Sequence, residues 1–174
     1  IAAHAALANP VVNFCLIPEC AFTLEGPGGL FEALEKRFAA KDHAVIVVAE
    51  GAGQDLFPRS EVQRDASGNA KYQDIGPFLK QQITGYFAQH GPEVSLKYID
   101  PSYVIRSVPA NCEDDILCDQ FGRRAVHAVM AGRTGLLIGH ASGTFIHVPI
   151  AMAVGQKRRI LIEGEFWASV MATT

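Results

Sequence analysis

A dense run of Val and Ile at His43–Ala49 is the feature that most constrains the fold. Such a run predicts a strand covered on both faces, which is typical of a parallel sheet between helices. Helices are also predicted at Ile1–Ala8, Leu30–Phe38, Ile75–His90 and about Glu113–Ala131, and further strands at Val11–Ile17 and Ser95–Ile99. This alternation predicts an α/β fold of three layers, αβα, with a mostly parallel sheet.

The C-terminal part of the sequence predicts smaller elements. A strand pair is expected to join across Ser142-Gly143, and two short helical pieces are expected after it. The predicted strands are Gly135–Gly139 and Thr144–Val148, and the helical pieces are Pro149–Gly155 and Glu163–Ala172. A turn is predicted earlier in the chain, at Ser67-Gly68-Asn69.

Composition and charge exclude several classes of protein. With 174 residues, 49% of them hydrophobic and 19% charged, the chain is expected to form about one packed domain. The net charge is −3, so neither nucleic acid nor a membrane surface is an expected partner. The longest apolar stretch, Thr134–Val154, is too interrupted for a membrane helix. The cysteine and histidine spacings match no metal or disulfide pattern, so we expect reduced thiols and no metal site.

Glu50 is the first candidate functional residue. It directly follows the predicted strand His43–Ala49 and precedes Gly51-Ala52-Gly53, where a ligand could approach the backbone closely. In α/β sheets, ligands collect beyond the carboxyl ends of the strands, and a carboxylate there could accept hydrogen bonds from sugar hydroxyls. The alternative is that Glu50 caps a helix or pairs with a nearby Lys.

The segment Lys97–Arg106 is the second candidate, because it gathers two cations and two phenols around a proline-set bend. Arg presents a fixed fork to phosphate oxygens, Lys a mobile charge, and Tyr a neutral donor. The combination suits a phosphorylated small molecule. The alternative is that Tyr98 belongs to the core and Arg106 pairs with an acid such as Asp114.

Three ordered motifs resemble the 6-phosphofructokinase family, in its plant-type and trypanosomatid-type ATP-dependent branch. They are Asn13–Glu19 (NFCLIPE), Val48–Gln54 (VAEGAGQ) and Lys97–Arg106 (KYIDPSYVIR), and Asp65–Asn69 fits the same family. The resemblance covers essentially the whole chain. It implies a phosphofructokinase-like fold and a glycolytic, allosteric enzyme that phosphorylates fructose 6-phosphate on its 1-hydroxyl with ATP and Mg²⁺.

The resemblance also implies roles for individual residues. Glu50 matches the family glutamate that binds sugar hydroxyls, and Tyr103 and Arg106 match the pair that holds the 6-phosphate, with Val104 and Ile105 between them. Lys97 matches a basic residue that reaches the sugar phosphate of a neighbouring subunit. The expected partners are therefore fructose 6-phosphate and further copies of the protein, with a homotetramer as the expected assembly.

Three family motifs are missing from the sequence: Gly-Gly-Asp-Gly, Thr-x-Asp-x-Asp and Met-Gly-Arg. Both ends also lack the signals of a natural terminus. We therefore expect residues 1–174 to be the C-terminal, sugar-phosphate-binding part of the enzyme, without the N-terminal nucleotide-binding part. No catalytic residue or metal ligand is expected in this chain, and the chain alone is expected to be inactive.

Two alternatives to the ATP-dependent kinase stay open at this point. The donor could be pyrophosphate, since the donor-selecting residues lie in the missing part. The chain could also be a non-catalytic domain that binds a phosphorylated metabolite. A cytoplasmic location is expected by default, with a glycosome-like organelle as the expectation if the protein is trypanosomatid-like.

Overall fold

The computed structural model describes residues 1–58, 72–155 and 158–174. The chain divides into two compact units, one of Ile1–Asp100 with Arg159–Thr174 and the other of Pro101–Arg158. The predicted turn Ser67-Gly68-Asn69 and the family-like segment Asp65–Asn69 lie outside the described residues.

The described residues of the first unit form a small parallel sheet and four α-helices. The elements in chain order are α1 Ala2–Ala8, β1 Phe14–Leu16, α2 Leu30–Ala40, β2 Ile46–Val48, a single 3-10 turn at Gln54–Leu56, α3 Ile75–His90 and, after the second unit, α7 Glu165–Thr173. Strands β1 and β2 pair in parallel, with Cys15 opposite Val47. The predicted parallel pairing of these two segments is therefore confirmed.

Successive side chains of β1 and β2 pack alternately into two hydrophobic clusters. Cys15 and Val47 belong to a cluster with α1 and α7, whose buried members are Ala3, Ala6, Val12, Cys15, Ile17, Trp167 and Val170. Phe14, Leu16, Ile46 and Val48 pack against a cluster with α2 and α3, whose buried members are Leu30, Phe31, Leu34, Ile75, Leu79, Ile83 and Phe87. Because successive side chains of a strand point to opposite faces, both faces of this sheet are apolar, as the Val-rich run predicted.

Helix α3 spans the predicted residues because both of its ends carry strong signals. The carboxylate of Asp74 accepts a hydrogen bond from the backbone N–H of Gly76 at 3.3 Å, which caps the helix. Gly91-Pro92 follows the last turn and prevents the helix from continuing. The buried residues Leu79, Ile83 and Phe87 lie on one face of the helix.

In the second unit the described residues form three helices and a hairpin: α4 Ser102–Ser107, α5 Cys112–Met130, β3 Leu136–Ala141, β4 Thr144–Pro149 and α6 Ile150–Val154. Asn111 caps α5 by accepting a hydrogen bond from the Asp114 N–H at 2.8 Å. Strands β3 and β4 are antiparallel and turn at Ser142 and Gly143, whose φ angles of 49° and 77° favour a two-residue hairpin. The predicted strand pair and the short helical pieces are confirmed.

Three predictions about the strands and the bend were wrong. Strands β1 and β2 span three residues each, and just before β2 the Val45 N–H donates to the Asn13 side chain at 2.9 Å while the Val45 carbonyl oxygen accepts from the Asn13 and Phe14 N–H groups. Residues 95–99 form no strand: they have no regular secondary structure, and Leu96 packs against the α2–α3 cluster. The segment after Pro101 is helix α4 rather than only a bend. Of the two sheets in the described parts of the chain, one is parallel and one antiparallel.

No helix within the described residues is both long enough and apolar enough to span a membrane.

Candidate functional site

Glu50 lies in the turn that follows β2, as predicted, and its side chain is exposed. The turn is held by a hydrogen bond from the Ala52 N–H to the Ala49 carbonyl oxygen at 2.9 Å, while Ala49 N–H donates to Leu16 O at 2.8 Å. The Glu50 carboxylate makes no ion pair and no hydrogen bond with any residue that the structure describes. Glu50 caps none of the helices in the described ranges, and no lysine within them pairs with it.

Gly53 allows the chain to turn sharply after Glu50. Its φ of +62° lies in the left-handed region, and a Cβ at this position would lie 3.0 Å from both Ile75 and Phe22. Both observations require glycine here. The turn places Gln54 where its amide contacts the backbone of Glu50 and of Gln73.

Lys97 and Tyr98 lie in the irregular segment that follows α3 in the first unit. Lys97 is exposed, and it forms no ion pair with another described residue. Tyr98 is 41% exposed, so it is not a core residue, and its ring lies against Gly76 in the first turn of α3. Burial, followed by the negative charges of Asp74 and Asp100, raises the pKa of the Tyr98 hydroxyl.

Helix α4 carries the other four predicted residues. Tyr103 and Arg106 are three positions apart on this helix, which places them on the same side of it. Tyr103 is 83% exposed, and Val104, Ile105 and Arg106 are exposed too. No ion pair between Arg106 and Asp114 is formed, and Arg106 has no acidic partner within the described ranges. The phenol and guanidinium of this pair are thus accessible to an anionic ligand.

The six predicted residues fall into two groups, one in each of the two compact units. Glu50 and Lys97 belong to the first unit, and both of their segments contact the residues that begin α3. Tyr103, Val104, Ile105 and Arg106 belong to the second unit and share one helix. Each group offers free polar groups of the kind expected for a phosphorylated sugar.

Two residues beside these groups were missed by sequence reasoning. Gln54 contacts the Glu50 backbone, and Gly76 provides the surface on which Tyr98 lies. The sequence contains a weak signal for each: Gln54 follows the glycine turn directly, and Gly76 is a glycine inside a helix pattern, which indicates close packing.

The described residues supply no obvious metal site. No group of three or more His, Cys, Asp or Glu side chains comes together within these parts of the chain. The four cysteines are free thiols, and burial is the largest cause of the raised pKa values of Cys15 and Cys20.

Comparison with known proteins gives consistent matches. An ATP-dependent 6-phosphofructokinase of Borreliella burgdorferi is 48% identical over the whole chain, and ATP-dependent 6-phosphofructokinase 2 of Arabidopsis thaliana is 44% identical. An ATP-dependent 6-phosphofructokinase of Trypanosoma brucei brucei is 38% identical. The chain spans 40% of the first two relatives and 36% of the third.

The family model described as Phosphofructokinase matches residues 1–129. This match includes α1 to α4, both strands of the parallel sheet and nearly all of α5. All six predicted site residues lie inside it. The chain therefore belongs to the phosphofructokinase family.

Proposed function

We propose that residues 1–174 are the C-terminal, sugar-phosphate-binding part of an ATP-dependent 6-phosphofructokinase. The full-length enzyme would transfer the γ-phosphoryl group of ATP to the 1-hydroxyl of fructose 6-phosphate, a reaction of glycolysis that gives fructose 1,6-bisphosphate and ADP. The observation that carries this proposal is the exposed Tyr103–Arg106 pair on α4, in a chain 38–48% identical to enzymes of that name.

Arg106 and Tyr103 hold the 6-phosphate in this proposal. The guanidinium can donate two parallel hydrogen bonds to phosphate oxygens, and the phenol can donate a third. Arg106 has no competing carboxylate among the described residues, so its charge is available to the ligand. Val104 and Ile105 lie between the pair and fix its spacing through the helix backbone.

Glu50 binds the hydroxyl groups of the sugar in this proposal. Its carboxylate can accept hydrogen bonds from two hydroxyls, and such bonds are stronger than those to a neutral oxygen. Binding the sugar at both its phosphate and its hydroxyls fixes the acceptor oxygen near the donor phosphate. Positioning of this kind can lower a barrier by about 7 to 11 kcal/mol at best.

The donor and the metal are assigned to the rest of the full-length protein. The described residues of this chain form no carboxylate cluster for Mg²⁺, so ATP and Mg²⁺ would bind mainly outside residues 1–174. The general base is assigned to the same missing part. Residues 1–174 alone would then bind or position the sugar phosphate but would not transfer the phosphoryl group.

The surface of the second unit supports the need for further chain. Ala128 is the only buried hydrophobic residue of that unit among those described, and α5 exposes large apolar side chains, including Met130 at 81%. Apolar faces of this extent are normally covered in a folded protein. Because the chain spans about 40% of its relatives, we propose that the remainder of the full-length polypeptide covers α5.

Three further properties belong to the same proposal. Lys97 would reach the sugar phosphate of a neighbouring subunit, so the complete site needs a homo-oligomer, with a tetramer as the expected state. The alternation of β1 and β2 side chains between two clusters supports a three-layer αβα arrangement in the complete domain. A cytoplasmic location would suit a glycolytic enzyme, with a glycosome-like organelle as the alternative.

A donor assay of the full-length protein tests this proposal. Purified enzyme is incubated with fructose 6-phosphate and Mg²⁺, with either ATP or pyrophosphate, and fructose 1,6-bisphosphate is measured. Formation with ATP only is the expected result. Formation with pyrophosphate only would overturn the choice of donor, and binding of fructose 6-phosphate without turnover would favour a non-catalytic binding domain.

A further inference from the structure

The side-chain amide of Gln54 joins the Glu50 turn to the chain that begins α3. Its Nε2 group donates to the Gln73 carbonyl oxygen at 3.0 Å and to the Glu50 carbonyl oxygen at 3.4 Å. Its Oε1 atom accepts from the Gln73 N–H at 2.9 Å. These three hydrogen bonds, called here the Gln54 bridge, use both N–H groups and the oxygen of the amide.

The same end of α3 also contacts the segment that carries Lys97. Asp74 follows Gln73 and caps the helix through the Gly76 N–H. A Cβ on Gly76 would lie only 2.2 Å from Cε2 of Tyr98, so the Tyr98 ring lies directly on the helix backbone. Only glycine permits an approach this close, and the contact fixes the backbone next to Lys97.

The start of α3 is therefore a common support for two segments of the candidate site. The Gln54 bridge connects it to the backbone of Glu50, and the Tyr98–Gly76 contact connects it to the neighbour of Lys97. All of these residues belong to the first unit. Helix α3 is itself held by Leu79, Ile83 and Phe87 in the core, so it is a rigid reference for both segments.

We propose that Gln54 is a positioning residue, which sets the place of Glu50 relative to the start of α3. This inference rests on the proposed function, because Glu50 and Lys97 matter only if the protein binds a sugar phosphate. Gln54 does not touch the substrate in this account. It acts through the backbone of Glu50, and its loss lets the Glu50 turn move relative to α3.

The chemistry of the bridge requires an amide. Glutamate at position 54 would keep the acceptor for the Gln73 N–H but would direct a carboxylate oxygen toward the carbonyl oxygens of Gln73 and Glu50. Methionine would keep most of the side-chain length and would make none of the three hydrogen bonds. A role that depends only on side-chain volume would therefore tolerate methionine, whereas the bridge would not.

The test uses steady-state kinetics of the full-length enzyme with Gln54→Ala, Gln54→Met and Gln54→Glu. Each variant is expected to raise the KM for fructose 6-phosphate about tenfold, which corresponds to the loss of roughly one net hydrogen bond of positioning. The KM for ATP is expected to stay within about twofold of the wild-type value. Gln81→Ala is the matched control, because Gln81 is an exposed glutamine on α3 outside the bridge.

Gly76→Ala tests the other end of the connection and keeps the Gln54 bridge. The added methyl group must displace the Tyr98 ring, so the KM for fructose 6-phosphate is again expected to rise while Gln81→Ala leaves it unchanged. If Gln54→Ala does not fold, Gln54→Met decides the question about Gln54, because methionine keeps most of the side-chain length without the three hydrogen bonds.

The outcomes separate this inference from the proposed function. A wild-type enzyme that does not phosphorylate fructose 6-phosphate would refute the proposed function and this inference with it. An active wild-type enzyme whose KM for the sugar is unchanged by Gln54→Ala and by Gln54→Met would refute the positioning role alone. A fall in Tm and kcat with both KM values unchanged would show that Gln54 supports folding only, which would also refute it.

Discussion

Replacement of Arg106 is the perturbation whose effect follows most directly from the site. In the full-length enzyme, Arg106→Ala removes the only charged group of the Tyr103–Arg106 pair. Arg106 is exposed and has no acidic partner in the described part of the chain, so its removal leaves no other charge unpaired. The free energy of unfolding is therefore expected to change by no more than about 0.5 kcal/mol.

The magnitude of the binding effect comes from the hydrogen bonds that are lost. A hydrogen bond to a charged group contributes about 1.5 to 3 kcal/mol, and every 1.4 kcal/mol corresponds to a factor of about ten. Half-saturation by fructose 6-phosphate is thus expected to need about 10 to 150 times more substrate. Arg106→Lys keeps the charge but loses the planar fork, so its value is expected to lie between those of the wild type and Arg106→Ala.

The assay measures initial rates against fructose 6-phosphate at saturating ATP, together with the Tm of each variant. Arg159→Ala is the matched control: Arg159 is an exposed arginine outside α5 and outside both groups of site residues, and it forms no ion pair with a described residue. It is expected to leave half-saturation unchanged. An unchanged half-saturation in Arg106→Ala at full stability would refute the assignment of Arg106 to the phosphate.

Three further predictions follow from the described contacts. Glu50→Gln in the full-length enzyme is expected to raise half-saturation by fructose 6-phosphate about tenfold, because it removes charge-assisted hydrogen bonds to the sugar, and an unchanged value would contradict that role. Leu34→Ala is expected to lower the free energy of unfolding, measured by urea titration, by about 2 to 5 kcal/mol, because the Leu34 side chain is only 1% exposed. Leu161→Ala is the control and should change this free energy little, because Leu161 is 75% exposed. The pKa of Tyr98 is higher in the folded protein than in the unfolded chain, where it is about 10. The contribution of Tyr98 to the free energy of unfolding is therefore complete below about pH 10 and is lost as the pH rises through the pKa of the folded protein. Tyr98→Phe should therefore reduce the loss of Tm between about pH 9 and pH 11, and an unchanged pH profile would argue against a raised pKa.

Local signals predicted several elements well. The bounds of α3 follow from Asp74 and from Gly91-Pro92, which act within one turn of the helix ends. The hairpin of β3 and β4 follows from Gly143, because glycine readily adopts the positive φ angle that a two-residue hairpin turn requires. In both cases the determining contacts lie within a few residues of each other in sequence.

The extent of the sheet could not be predicted in this way. The run His43–Ala49 correctly indicates a strand with two apolar faces, but Ile46–Val48 are half-buried rather than buried, and the length of β2 depends on its backbone partners. The Val45 N–H donates to the Asn13 side chain, and within the described ranges only the Val45 carbonyl oxygen has backbone partners, the N–H groups of Asn13 and Phe14. The segment at residues 95–99 has no strand beside it in the described residues. Pairing partners come from distant parts of the chain, which propensity does not determine.

The candidate site also has features that the local sequence predicts and features that depend on distant parts of the chain. Residue type and resemblance suffice to nominate Glu50, Lys97 and Arg106, because charge and hydrogen-bonding capacity belong to the side chains themselves. The Gln54 bridge depends on the backbone N–H and carbonyl groups of Gln73, which lies 19 residues further along the chain. The position of the Tyr98 ring depends on the absence of a Cβ at Gly76 in α3. Such support of a site is a property of tertiary structure.

A crystal structure of the full-length protein with fructose 6-phosphate tests the central claim most directly. The account predicts the 6-phosphate within hydrogen-bond distance of the Tyr103 hydroxyl and the Arg106 guanidinium, with a sugar hydroxyl donating to the Glu50 carboxylate. Fructose 6-phosphate bound in a site that contains none of these three residues would contradict it.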